Sequence, residues 1–110
     1  MKLKQHEIEV LEILVSDKIS KIIMDEIKSN PNIIENDITD YGYFLTMKHD
    51  ELPLERSVYD SPYISGKANE IKTGFVVFIE NHELTIECHG IAEDVPRDYR
   101  ERNIKIKPGA

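Results

Sequence analysis

The chain has 110 residues, with 14 Lys and Arg against 21 Asp and Glu, a formal charge of −7 and one cysteine. A chain of this length removes roughly 65% of its unfolded surface from water on folding, enough for a single domain spanning residues 1–110, and one cysteine excludes an internal disulfide. The acidic balance argues against nucleic acid as a partner, because phosphate backbones are bound chiefly by Lys and Arg.

The charge is unevenly spread. Residues 95–110 hold five bases and two acids, a balance of +3, which leaves −10 on the first 94 residues. Such a body is steered toward a basic partner. The opening MKLKQHEIEVLEIL carries a charged residue every few positions, so neither a signal peptide nor a membrane-spanning helix is expected, and the chain reads as cytoplasmic with no membrane partner.

In residues 5–30 the apolar side chains Ile8, Leu11, Val15, Ile19, Ile22, Ile23 and Ile27 recur at spacings of three and four, which predicts a helical stripe. Glu7, Glu9, Glu12, Lys18, Lys21, Asp25 and Lys28 fall largely on other faces. Ser16 and Asp17 cap better than they propagate, so the pattern allows one long helix or two short ones in line. Ser29-Asn30-Pro31 ends it, because proline disfavours the helical conformation of the preceding residue.

From Asn32 the period shortens toward two. NIIENDIT and YGYFLTMK read as two strands joined near Thr39 and Asp40, with Gly42 marking a bulge or the close approach of another backbone. Residues 49–67, with two prolines and several acids, read as a surface loop with a short edge strand around Val58. EDVPRDYRER is polar and turn-like, and NIKIK supplies a last strand. Arg97, Arg100 and Arg102 are expected to balance the protein's own acids. The predicted architecture is α+β, an N-terminal helix packed by its isoleucine stripe on an antiparallel sheet of four to six strands.

TGFVVFIENHELTIECHG, residues 73–90, tests the strand reading most sharply. With Asn81 and His82 as a two-residue hairpin loop, cross-strand partners have positions summing to 163. One face then collects Phe75, Val77, Ile79, Leu84, Ile86 and Cys88, and the other Val76, Phe78, Glu80, Glu83, Thr85, Glu87 and His89. Cys88 points into the core as a small hydrophobe, away from the neighbouring His89 that a thiolate nucleophile would need. Zinc needs four ligands, usually paired at short spacing, whereas His82 and His89 stand at opposite ends of one strand, roughly 23 Å apart. No Gly-rich phosphate loop, Gly-x-Ser-x-Gly or His-Glu-x-x-His occurs, so no cofactor, metal or catalytic residue is assigned.

The second hairpin face combines an aromatic, Phe78, with Glu80, Glu83 and Glu87, a composition suited to docking a basic protein. Glu80 and Glu83 stand directly opposite one another, a like-charge cost that a basic partner would relieve. Asp37 and Asp40, flanked by Tyr41 and Tyr43, form a second acidic and aromatic group suited to an interface.

The segment Thr39-Asp40-Tyr41-Gly42-Tyr43-Phe44, then Gly74-Phe75-Val76-Val77-Phe78 and Leu84-Thr85-Ile86-Glu87, resembles a group of small bacterial α+β proteins with a Gly-Phe-x-x-Phe hairpin closing on Leu-x-x-Glu. This chain departs from the group's pattern at His82 and Cys88, where glycine is usual. Small acidic proteins of this kind resemble the immunity proteins that bacteria keep beside secreted or contact-delivered toxins. That resemblance implies a non-catalytic module that binds and neutralises a basic cognate toxin. Two alternatives are a homodimer formed through exposed strand edges such as NIKIK, and a small enzyme using His49, His82 or His89 with surface carboxylates.

Overall fold

The helical stripe folds as two helices, α1 (Gln5–Leu14) and α2 (Lys21–Ser29), in the computed structural model, which describes residues 1–109. The backbone leaves the helix at Val15, just before Ser16 and Asp17, whose side chains favour turns over helix interiors. Ser20 then caps α2 by accepting the Ile23 N–H at 3.2 Å. The break explains the one stripe residue that faces solvent: Ile22 is exposed, whereas Met24 and Ile27 carry α2 into the core. Glu7, expected on the polar side of α1, is instead fully buried.

Six strands follow: β1 (Ile33–Thr39), β2 (Gly42–Lys48), β3 (Ser57–Ala68), β4 (Ile71–Glu80), β5 (Glu83–Gly90) and β6 (Lys105–Pro108). They form one antiparallel sheet in the order β1-β2-β5-β4-β3-β6. Pairing of β4 with β5 follows the expected register, with Phe75 opposite Cys88, Val77 opposite Ile86 and Glu80 opposite Glu83. Asn81 and His82 both have positive φ, 56° and 63°, the geometry of the tight hairpin turn whose twist suits right-twisted strands.

Residues 49–67 are in part a correction. Residues 49–56 lie outside the strands and the strand around Val58 pairs with β4 alone, as a loop with an edge strand would. But β3 runs on to Ala68 as the longest strand, and its second half, residues 64–67, lies inside the sheet between β4 and β6. Its register against β4 shifts between Tyr59 and Ile64, where the Ser61–Pro62 peptide is cis. The shift lets the prolyl segment leave the ladder where a proline has no N–H to donate. The segment read as turn-like contains a short 3-10 helix at Tyr99–Glu101, with Tyr99 and Arg100 buried.

The core lies between the helices and one sheet face. Leu11, Leu14 and Val15 meet Leu45, Met47, Phe75, Val77, Ile79, Leu84 and Ile86 there, all 2% exposed or less. Cys88 joins them. Gly42 is the expected close approach: its φ is +142°, and a Cβ there would sit 1.8 Å from the Cys88 carbonyl oxygen.

Candidate functional site

Residues opposite one another across a sheet share a face, so the register assigns the side turned away from the core. Asp37, Phe44, Glu87 and Val76 form one row across β1, β2, β5 and β4. Glu35, Thr46, Thr85, Phe78 and Val58 form the next. Lys48, Glu83 and Glu80 form a third. Among the described residues no helix packs over these rows. Phe44, Val76 and Phe78 are half-buried by their neighbours alone, and Val58 is exposed.

Phe78, Glu80, Glu83 and Glu87 therefore share this uncovered face, as the hairpin register implies. Two of them are already engaged within the chain. The Arg56 guanidinium lies 5.2 Å from the centre of the Phe78 ring and pairs with Glu80 at 3.2 Å. Lys48 stands directly opposite Glu83 on the next strand. The Arg56–Glu80 pair thus offsets part of the Glu80–Glu83 repulsion without a partner.

Asp37 belongs to the same face through its pairing with Phe44. Asp40 and Tyr41 sit apart from it, in the β1–β2 turn, where Arg97 reaches Asp40 at 3.3 Å and donates to the Ile38 carbonyl at 2.9 Å. Tyr41 is exposed. Tyr43 is a correction: its ring is 2% exposed on the core side, so it offers no surface to a partner. Period two turns its neighbour Phe44 outward, and Phe44 is the aromatic that the interface reading missed. The signal was available in the alternation of YGYFLTMK, had β2 been paired with β5.

Beneath the sheet, α1 and the 3-10 helix bury an ionic network that the sequence did not announce. Glu7 accepts from Arg100 Nε at 2.7 Å, Arg100 Nη2 at 2.9 Å, Tyr43 Oη at 2.7 Å and the Lys4 N–H at 2.7 Å. Arg100 Nη2 also donates to the Lys2 carbonyl at 2.9 Å. Because the Tyr43 hydroxyl proton goes to the carboxylate, the His6 Nε2 that lies 2.7 Å from it must be the protonated nitrogen, donating to the phenol oxygen. Burial pulls the His6 imidazole down to about 4, so the ring is neutral at pH 7. Burial alone would disfavour the Arg100 charge, but its hydrogen bonds and attraction to Glu7 outweigh that and raise its affinity for the proton. Every group in the cluster is tied to another and none faces solvent, which makes it a clamp between the N-terminus and the C-terminal segment.

Cys88 and His89 turn to opposite sides of the sheet, as the hairpin register expects. Cys88 is 1% exposed and burial pushes its thiol up to about 12, the opposite of an activated nucleophile. His89 lies on the uncovered face with Glu87 Oε2 3.0 Å from its Nδ1, a contact without hydrogen-bond alignment. His49 and His82 do approach, through the His49 N–H donating to the His82 carbonyl, but their ring nitrogens meet the Glu51 N–H and the Leu52 carbonyl. No group of three or more metal-ligating side chains converges among the described residues. Arg97, Arg100 and Arg102 each pair with an acid of the chain, Asp40, Glu7 and Asp98. Among the described residues no helix is long and apolar enough to cross a membrane. Comparison of the chain with models of known families, with curated proteins and with solved structures finds no match.

Proposed function

We propose that the chain is a non-catalytic protein-binding module that holds a basic protein against the uncovered face of its sheet, as an immunity protein would hold a basic bacterial toxin. The observation that carries this reading is the row Asp37, Phe44, Glu87, Val76, in which acidic and apolar side chains alternate across four strands with no helix of the described residues packed above them. The formal charge of −7 steers a basic partner toward the protein, and the resemblance to immunity proteins supplies the biological setting. On contact, Phe44 and Val76 provide the apolar centre, while Asp37 and Glu87 on either side of Phe44 meet lysines or arginines. Phe78, beneath Arg56, extends the apolar centre once a partner displaces that guanidinium.

The test uses as the binding partner a basic protein captured from the native organism's lysate by the immobilised chain and released by a salt step. Phe44→Ala is expected to weaken binding at least 30-fold, the scale of an aromatic anchor. Asp37→Asn with Glu87→Gln is expected to slow association and flatten its salt dependence. A partner that binds both variants with wild-type affinity and rates removes this face from the interface.

A further inference from the structure

We propose a second binding site, for a small organic polyanion, at the corner of the uncovered face where β3, β4 and β6 meet. Lys67 stands directly opposite Lys72 on one side and Lys105 on the other, and Lys107 lies two residues along β6, opposite Ser65. Side chains directly opposed across strands start about 5 Å apart, and like charges in that arrangement destabilise the pairing. Of these four lysines, only Lys67 has an acidic partner among the described residues, Glu70 at 3.5 Å in the exposed turn. In a chain with 21 acids, where Arg97, Arg100 and Arg102 all find one, this row concentrates positive charge that internal contacts leave uncompensated.

The corner also has shape. Together with Tyr63, Ile91 and Ile106 the lysines enclose a depression of about 490 Å³, within the size range of small-molecule sites. The Ile91 N–H donates to the Lys72 carbonyl at 3.1 Å, which anchors the segment after β5 beside the row. Gly74 clears the adjoining wall: a Cβ there would lie 3.2 Å from the Tyr63 hydroxyl and 2.7 Å from His89 Nε2. Tyr63 and Ile91 are 45% and 40% exposed, apolar surface that a ligand body would cover.

These features specify the ligand's chemistry. Lys72 and Lys105 are two strand spacings apart, roughly 10 Å, so their ammonium groups serve at least two anionic groups on one molecule. The apolar lining calls for an aromatic or aliphatic body joined to them. A nucleoside triphosphate has both parts and is the appropriate probe. The site does not depend on the protein-binding reading, which rests on Phe44, Glu87 and their row.

The experiment is a titration of the full-length ¹⁵N-labelled protein with ATP at low ionic strength, followed by NMR and calorimetry, with pyrophosphate and adenosine as partial probes. ATP is expected to shift the amides of Tyr63, Lys67, Ile91 and Ile106, pyrophosphate to bind more weakly at the same place, and adenosine not to bind. Lys72→Ala with Lys105→Ala is expected to weaken ATP binding about 100-fold, about tenfold per charge-assisted contact. The same variant should melt at a higher temperature because the opposed charges are gone, which separates loss of binding from loss of fold. Equal affinity of wild type and variant overturns the proposal, as do shifts spread over Lys2, Lys18 and Lys21. A failure of ATP and pyrophosphate together with saturable binding of a glutamate-rich peptide at these residues also overturns it, in favour of an acidic peptide ligand.

Discussion

Removing Arg100 while leaving Glu7 in place tests the buried network most directly. In Arg100→Met the carboxylate loses two charge-assisted hydrogen bonds, at 2.7 and 2.9 Å, and keeps only the Tyr43 hydroxyl and the Lys4 N–H. Two such bonds at roughly 1.5–3 kcal/mol each agree with the roughly 3–5 kcal/mol cost of stranding one member of a buried ion pair. An expected loss of about 4 kcal/mol is a large part of the 5–15 kcal/mol by which domains are usually stable, so the variant is marginal but measurable. With a urea slope of about 1–3 kcal/mol/M, the denaturation midpoint should fall by about 2 M. In Glu7→Leu/Arg100→Met no charge is stranded, and the Tyr43 hydroxyl can turn to donate to His6 once that ring changes tautomer. The double variant should therefore recover at least about 2 kcal/mol relative to the sum of the single changes, a coupling that a double-mutant cycle measures. An Arg100→Met cost below about 1 kcal/mol, or strict additivity, would refute the clamp.

The same network makes stability depend on pH through His6. Its imidazole titrates near 6.5 in an unfolded chain and at about 4 in the fold, so its contribution is complete above pH 6.5 and is lost as pH falls toward 4. The gap corresponds to about 3 kcal/mol, and the difference between wild type and His6→Gln in urea midpoint should shrink across that window; a constant difference would contradict the burial argument. Gly42→Ala places a Cβ against the Cys88 carbonyl and forces a side chain into φ +142°, so it should lower stability by about 3 kcal/mol or prevent folding. A thermal midpoint within a degree of wild type would show that the β2–β5 approach can relax. Cys88 should react with a thiol reagent only as fast as the native fold opens, because burial holds the thiol near 12 and out of solvent. Native-state labelling at the rate of a free thiol would refute its core position.

The hairpin was legible because two independent constraints agreed: a loop of two residues sets the register, and the register sorts six apolar side chains onto one face. The helices were legible as a stripe, and the break between them as a pair of poor helix formers. The loop at 49–56 and the strand around Val58 were legible, but the continuation of β3 to Ala68 was not, because the sequence cues there are turn residues. The cis Ser61–Pro62 segment interrupts the ladder in the middle of β3, and the alternation on either side is too short to register as one strand. Glu7 and Arg100 were hidden for a different reason. A charged residue on an amphipathic helix is ordinarily solvated, and its burial depends on a partner 93 positions away that local patterning cannot reveal. The Tyr43 error has the same root as the hairpin's success. Period two decides which aromatic of Tyr43 and Phe44 meets solvent, and only the pairing with β5 fixes the phase.

The polarity of the uncovered face constrains how any protein could dock there. Acidic side chains occupy the β1 and β5 strands, at Glu35, Asp37, Glu83 and Glu87, with Lys48 of β2 between them at one end, while Lys67, Lys72, Lys105 and Lys107 occupy the corner of β3, β4 and β6. A uniformly basic partner gains attraction over the first half and meets repulsion over the second, and at physiological ionic strength a separation beyond about 8 Å screens one half from the other. Its basic surface is therefore held over Phe44 and Glu87 and away from the lysine corner, which gives the complex one preferred orientation. It follows that occupation of the corner by an anion should relieve that repulsion, so that saturating pyrophosphate, beyond its ionic-strength effect, speeds association of a basic partner with wild type but not with Lys72→Ala/Lys105→Ala. Measuring the association rate of both proteins in pyrophosphate against sodium chloride of equal ionic strength decides the matter, and identical rates in the two salts for wild type would show that the two halves of the face act independently.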